Sequence, residues 1–219
     1  MATYKLYPNN PRKIRINHVR INYPSLFEKK ERVDDDGNVQ PGSYSGQFIL
    51  DPKEHADAIV ELNRIMEIAA KEAYGAEQGP RILKGLKADS KTFLRDGNTR
   101  VDSQGNLFPE LVDKMFFNAS SYTTAPRVVD RAMVNGQPVV LTKADADRIY
   151  SGSYGNVIIE IYGQKAVGKR PRRINAGLVG YQFWEDGEPI AGGRPADESD
   201  FDYSETSDVE STELAADFI

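Results

Sequence analysis

The alternation of hydrophobic and polar residues along the chain predicts mostly β-strands. From Lys13 apolar and polar side chains alternate, and after His18 the alternation continues with a shifted phase. Strict alternation indicates a strand with one buried face, and a phase shift indicates a bulge. We therefore expect a bulged strand of about ten residues there, with a basic outward face. Further strands are predicted at 44–50, 115–121, 155–163 and 178–184, with shorter apolar runs at 126–134 and 139–141.

Two helices are predicted between these strands. Asp51 is a suitable N-cap and Pro52 a suitable first helical residue, apolar residues then recur at helical spacing, and Gly75 ends the pattern. A second, short helix is predicted after Thr142, because Thr142 and Asp145 have the spacing of a capping box. The stretch 75–114 contains Gly, Pro and charged residues throughout, and we expect it to be irregular.

The order of these elements favours a small barrel. Six or seven short strands in about 180 residues fit a closed or partly open β-barrel, and the five-stranded OB-fold is the best single match. The predicted fold is therefore mainly β: an elaborated OB-fold-like barrel with one long and one short helix, followed by a disordered acidic C-terminal tail. A long helix after the second strand departs from the simplest OB-fold.

The C-terminal stretch 196–219 differs sharply from the rest in charge. It contains nine acidic residues and no Lys or Arg, which is too polar a composition to offset the entropy lost on ordering. We predict a folded domain at 1–194 and a disordered acidic tail at 195–219. Without the tail, 24 acidic and 28 basic residues leave the body at about +4. This asymmetry points to a nucleic-acid or membrane partner, and the alternative is a solubility tail on an ordinary domain.

Several classes of function are disfavoured by residue content. The chain has no Cys and two His, which excludes disulfides and thiolate metal sites and leaves few catalytic bases. The three aspartates at 34–36 fit a solvated hairpin turn better than a calcium loop. No metal or other cofactor is expected. No apolar run is long enough to span a membrane, and no secretion signal begins the chain.

Binding chemistry is better represented than catalytic chemistry. Sequence-tolerant binding of single-stranded nucleic acid requires cations along the phosphates and aromatic rings that stack on bases. The chain has 21 aromatic residues, and five of the nine residues at 165–173 are basic. Which rings stack is left open, and contacts to phosphates alone would also fit duplex DNA. The predicted DNA contacts are Arg12, Lys13, Arg15, Arg20, Tyr23, Lys91, Phe93, Arg95, Tyr162, Lys165, Lys169, Arg170, Arg172, Arg173 and Trp184.

Five stretches resemble a known family. They are 23–27 (YPSLF), 44–50 (YSGQFIL), 149–155 (IYSGSYG), 176–178 (AGL) and 186–193 (DGEPIAGG), and together they span most of the body. In this order they are similar to phage single-stranded DNA-binding proteins, and specifically to the family first described in an Enterobacter phage. The resemblance implies a non-enzymatic, sequence-independent coat on single-stranded DNA during phage replication or recombination, in the host cytoplasm.

In this interpretation the acidic C-terminal tail has a physical role in DNA binding. A tethered polyanion can occupy a cationic groove until a DNA strand displaces it, so its removal is expected to allow duplex binding. The freed end, Asp217, Phe218 and Ile219, is predicted to dock on phage or host replication proteins, with Phe218 as the anchor. Related proteins often end in Phe, whereas Ile219 follows it here. The alternatives are a carboxylate-dependent nuclease and an acidic phage adaptor that binds no DNA.

Overall fold

Nine strands and two α-helices make up the regular structure of the residues that the computed structural model describes, which are 2–33, 39–168 and 170–190. The strands are β1 (Tyr4–Tyr7), β2 (Asn10–Val33), β3 (Val39–Leu50), β4 (Leu94–Asp96), β5 (Met115–Ser121), β6 (Arg127–Val134), β7 (Gln137–Val140), β8 (Tyr154–Gln164) and β9 (Arg173–Glu185). The α-helices are α1 (Ala56–Tyr74) and α2 (Gly79–Ala88). Short 3-10 helices occur at Gly97–Thr99, Pro109–Leu111 and Lys143–Arg148.

Five of the strands close into a barrel in the order β2, β3, β5, β9, β8 and back to β2. All of these pairings are antiparallel except the one between β5 and β9, which is parallel. This order is that of an OB-fold, so the predicted fold class is confirmed. The other strands extend the barrel: β1 pairs with β2, β4 with β5, and β6 lies parallel to the second half of β9 and carries β7 at the edge.

The core fills the barrel and the space under α1. Inward residues of the strands, among them Ile14, Ile159 and Ile174, are fully buried, while the residues between them face outward. Helix α1 closes one side of this core with the apolar stripe that the sequence predicts, including Leu62 and Ile65.

Strand β2 is longer than predicted and is interrupted twice. His18 and Tyr23 adopt positive φ angles of 53° and 49°, and the pairing register shifts beside each of them. The predicted bulge near His18 is therefore confirmed. Its unpaired backbone amide is satisfied, because the N–H of His18 donates to Oδ1 of Asn156 at 2.9 Å.

The helices differ from the prediction at three places. Helix α1 begins at Ala56, four residues after the predicted start, because Asp51 instead caps a turn: its Oδ1 accepts from the N–H of Lys53 at 2.8 Å, and its carbonyl accepts from the N–H of His55. The predicted end at Gly75 is confirmed, with φ at 94°. Helix α2 lies in the stretch expected to be irregular. The predicted capping box of Thr142 and Asp145 is present, on a 3-10 helix.

The sequence pattern does not predict helix α2, because the packing of this helix against α1 is not evident from its residue composition. A Cβ atom at Gly79 would lie 2.7 Å from the carbonyl oxygen of Ala70, so glycine permits the close approach of α2 to α1. Only Leu83 and Leu86 supply buried large side chains. A ten-residue helix with so short an apolar stripe gives little periodic signal.

Candidate nucleic-acid interface

A polar groove of about 360 Å³ lies on the outer face of the barrel where β5, β8 and β9 meet. We call this the groove. Its walls come from the outward side of β5, the end of β8, the loop after it, the start of β9 and the segment before β4. The lining residues are Lys91, Thr92, Phe93, Arg95, Asn118, Ser120, Tyr122, Tyr162, Gln164, Arg170, Pro171, Arg173, Ile174, Asn175 and Ala176.

The alternation of β5 places its polar residues in the groove. Phe117 and Ala119 point into the core, so Asn118 and Ser120 point outward, and Tyr122 follows in the same phase. Opposite them, Tyr162 of β8 pairs with Asn175 of β9. The floor of the groove is therefore made of amides and hydroxyls.

The charge of the groove is positive. Lys91, Arg95, Arg170 and Arg173 line it, and the described residues of its lining include no Asp or Glu. Lys91 is paired outside the lining, with its Nζ 2.8 Å from Asp89. A concave surface with one sign of charge concentrates ligands of the opposite sign.

Arg95 is the most unusual of these cations. It pairs with Phe116 on the outer face of β4 and β5, and its Nε is buried with no hydrogen-bond partner in the part of the chain that the structure describes. Burial lowers the pKa of its guanidinium, and the nearby charges of Arg173 and Arg100 lower it further. A half-buried guanidinium whose Nε lacks an acceptor destabilises the free protein, and an incoming anion would supply that acceptor.

Two tyrosine rings flank the cations. Tyr122 is 54% exposed and Tyr162 is 37% exposed. Burial raises the pKa of the Tyr162 phenol, and the neighbouring Tyr122 raises it further, so the ring is neutral at physiological pH. Exposed aromatic rings beside cations are the combination that stacking on nucleic-acid bases requires.

The groove collects six of the residues predicted from the sequence to contact DNA: Lys91, Phe93, Arg95, Tyr162, Arg170 and Arg173. Phe93 cannot act as predicted, because its ring is 5% exposed and packs edge-on against Phe117 in the core, with ring centres 5.7 Å apart. Lys165 is exposed in the loop beside the groove, and the guanidinium of Arg172 lies 6.0 Å from the ring of Tyr74. Lys169, Asp217, Phe218 and Ile219 lie outside the described residues.

The remaining predicted contacts lie elsewhere on the barrel. Arg12 forms ion pairs of 2.9 Å with Glu72 and with Glu160, and Lys13 lies 4.7 Å above the ring of Tyr7. Arg20 donates to the carbonyl oxygens of Gly152 and Glu188.

Tyr23 and two further predicted contacts complete this set. Tyr23 is 61% exposed at the second bulge of β2. Arg15 and Trp184 line a separate cavity of about 570 Å³.

The sequence-based prediction missed Tyr122, Asn118 and Ser120. The signal was present, because the predicted strand 115–121 alternates and places Asn118 and Ser120 on one outward face, and Tyr122 follows the strand in the same phase.

The comparisons with known proteins agree with this geometry. Residues 12–212 match the model of a protein family described as Enterobacter phage Enc34, ssDNA-binding protein. The chain belongs to this Enc34 ssDNA-binding family. Members are DNA-binding proteins rather than enzymes, as predicted. Protein p50 of Acyrthosiphon pisum secondary endosymbiont phage 1 is 32% identical over 207 residues, covering 93% of this chain and 99% of p50.

Two solved structures from bacteriophage Enc34 have the fold of this family member. The ssDNA-binding protein in complex with ssDNA has a TM-score of 0.65 at 22% identity, over 87% of this chain and 95% of that one. A second structure of the Enc34 single-stranded DNA-binding protein has a TM-score of 0.65 at 23% identity, over 91% of this chain and 94% of that one.

In the ranges given above, no group of three or more His, Asp or Glu side chains is placed to hold a metal ion. Neither α-helix in those ranges has the length and apolar content needed to cross a bilayer.

Replacing Arg95 tests the cost of its burial. Arg95→Met keeps most of the side-chain volume and removes the unpartnered Nε, so we expect the free energy of unfolding to rise by about 1 kcal/mol. Urea denaturation measures the change. The exposed Arg170→Met is the control and should stay within about 0.5 kcal/mol of the parent. A loss of stability in Arg95→Met larger than that of the control would contradict this account.

Proposed function

We propose that this protein binds single-stranded DNA in the groove without sequence preference. The observation that carries the proposal is the lining of the groove: four cations, two exposed tyrosines and no acidic side chain among its described residues. It lies on an OB-fold face bounded by the loop between β8 and β9, which is where such barrels hold oligonucleotides. The solved Enc34 complex with ssDNA supports the same interpretation.

In this proposal, the cations and the tyrosines of the lining contact different parts of the DNA strand. Arg95, Arg170 and Arg173 neutralise backbone phosphates, and the release of counterions from the strand favours binding. Tyr122 and Tyr162 stack on bases, which is worth about 1–3 kcal/mol per base and is tolerant of sequence because every base has a π-face. A duplex buries these faces in its own stack, so the rings favour a single strand.

These contacts and the phage relatives support a biological role in phage DNA metabolism. Coating of exposed strands would protect them during phage DNA replication or recombination in the host cytoplasm. We assign binding to a domain of residues 1–194 and regulation to the acidic residues 195–219. Lys165 and Arg172 belong to the loop bordering the groove, and Lys169 lies between them in the sequence; we retain all three as additional phosphate contacts.

The acidic tail is proposed to compete with DNA. It carries nine acidic residues, and the groove that it would cover carries four cations. A tethered competitor acts at high local concentration, so even weak contacts are effective. When a strand displaces the tail, its last residues, Asp217, Phe218 and Ile219, become available to a partner in replication.

The salt dependence of binding tests the phosphate contacts. We expect the logarithm of the affinity for a labelled oligonucleotide to fall linearly with the logarithm of salt concentration, by about 0.7 per phosphate contacted. The double variant Arg170→Met with Arg173→Met should lower this slope by about 1.4. Fluorescence anisotropy with single-stranded, duplex and RNA probes measures it. An unchanged slope would remove both residues from the binding path, and no binding at low salt would refute the proposed function.

Substitution of Tyr122 tests stacking. Tyr122→Ala should weaken binding of a single strand by about 1–3 kcal/mol, because one base loses its ring, while binding to duplex changes little. Tyr122→Phe keeps the ring and serves as the matched control, with affinity close to that of the parent. If both variants lost the same affinity, the hydroxyl rather than the ring would be the contact, and the stacking assignment would be wrong.

Removal of the tail tests competition. Truncation after Gly193 should tighten DNA binding at low salt and extend it to duplex, since it removes the tethered polyanion. Anisotropy titrations of the two forms, run in parallel, measure the difference. Equal affinities at low salt would contradict a competing tail. An excess of a free peptide of residues 196–219 should partly restore the weaker binding.

A further inference from the structure

A second surface of the barrel carries three of the predicted DNA contacts that lie outside the groove: Lys13, Arg15 and Trp184. The outward residues of β8 and β9 run from Tyr162 and Arg173 at the groove to Asn156 and Trp184 at the other end. We call the outward face of these two strands, with the neighbouring outward residues of β2 and β6, the strip. Because a strand rises about 3.3 Å per residue, the six steps from Tyr162 to Asn156 span about 20 Å.

Cations flank the strip on both sides. On β2, Ile14 and Ile16 are fully buried. The residues that alternate with them, Lys13 and Arg15, therefore point outward. On β6, Arg127 and Arg131 are exposed, because Val128 between them points inward. Arg15 pairs with Ile158 of β8, and Arg127 pairs with Gly180 of β9, so both cations border the same two strands.

The acidic residues of the strip are already paired. Glu160 binds Arg12 at 2.9 Å, and Glu185 binds the Nε2 of His18 at 2.8 Å and the guanidinium of Arg131 at 4.0 Å. Among the described residues, Lys13, Arg15 and Arg127 lie within ion-pair distance of no carboxylate. The strip therefore keeps an excess of unpaired positive charge.

The far end of the strip holds a cavity and an aromatic ring. The cavity, of about 570 Å³, is lined by Arg15, Asn17, His18, Asn156 and Trp184, together with Ala2, Thr3, Glu54 and His55. This volume is within the range of small-molecule sites. The guanidinium of Arg131 lies 5.8 Å from the centre of the Trp184 ring. A ring beside Arg15 and Arg131 repeats the pairing of rings and cations found in the groove.

We infer that a single DNA strand longer than the groove continues along the strip and ends on Trp184. This inference rests on the proposed function, because it extends the same strand from the same groove. The occupant is a nucleic acid strand rather than a protein because the unpaired charge is positive and follows two continuous strands away from the groove. OB-fold proteins occupy about 4 to 16 nucleotides, so both surfaces would be filled only near the upper part of that range.

Trp184 gives this inference a direct readout, since it is the one Trp of the chain. Full-length protein is titrated with oligothymidylates of about 6 and about 16 nucleotides, followed by the anisotropy of a label on the DNA and by Trp emission. The short strand should bind without changing the emission, and the long strand should quench it. A long strand that binds and leaves the emission unchanged would overturn the inference while leaving the proposed function intact.

Variants of the strip separate it from the groove. Arg15→Ala with Arg127→Ala should reduce the salt slope for the long strand by about 1.4 and leave that for the short strand unchanged. Arg81→Ala with Lys84→Ala, two exposed cations of α2, is the control of equal charge and should change neither slope. Trp184→Ala should weaken the long strand about five-fold or more, and Trp184→Phe much less. Equal effects on both lengths would contradict a separate strip.

Two other outcomes are distinguishable. If neither strand bound, the proposed function would fail and the inference with it. If a free peptide of residues 196–219 changed the Trp184 emission and the long strand did not, the strip would be the seat of the acidic tail, and the inference would be wrong.

Discussion

The parallel pairing of β5 with β9 is the contact on which the binding surface depends. It consists of two residue pairs, Ala119 with Ala176 and Ser120 with Gly177, all with small side chains or none. Without it the strands would form an open sheet, and Tyr122 would lie at a distance from the loop that carries Arg170. With it the barrel closes, and the outward face of β5 meets the start of β9. The groove exists because these two edges are held together.

Closing the barrel at this place brings cations together at a cost. Burial lowers the pKa of the Arg95 guanidinium, the charges of Arg173 and Arg100 lower it further, and its Nε has no hydrogen-bond acceptor among the described residues. Such a group lowers the stability of the free protein, and the surrounding strands must hold it in place. Local conflict with the rest of the fold is expected where a ligand completes the structure. A phosphate oxygen has the negative charge and the acceptor that the Nε–H of Arg95 lacks among the described residues.

The sequence predicts the barrel well and the binding surface less well, for physical reasons. Alternation is a local signal, so strands such as 155–163 and the bulge at His18 could be found from it. The start of α1 could not, because the side chain of Asp51 caps a turn whose hydrogen bonds compete with the helix. Burial of Phe93 depends on contact with Phe117, 24 positions away along the chain, which no local pattern reveals. The same limit explains why a cluster of basic residues in sequence is not always a cluster in space.

Strand β2 illustrates that limit. Its first part, including Arg15, pairs with β8, and its second part, including Asn22, pairs with β3. One strand can border two sides of a barrel only if it coils strongly, and the positive φ angles at His18 and Tyr23 supply the two bends. The bends carry the basic N-terminal residues away from the groove and set them beside the outward face of β8. Because β8 also reaches the groove through Tyr162, the separated basic surfaces remain connected by one strand, and a flexible polyanion could follow that connection.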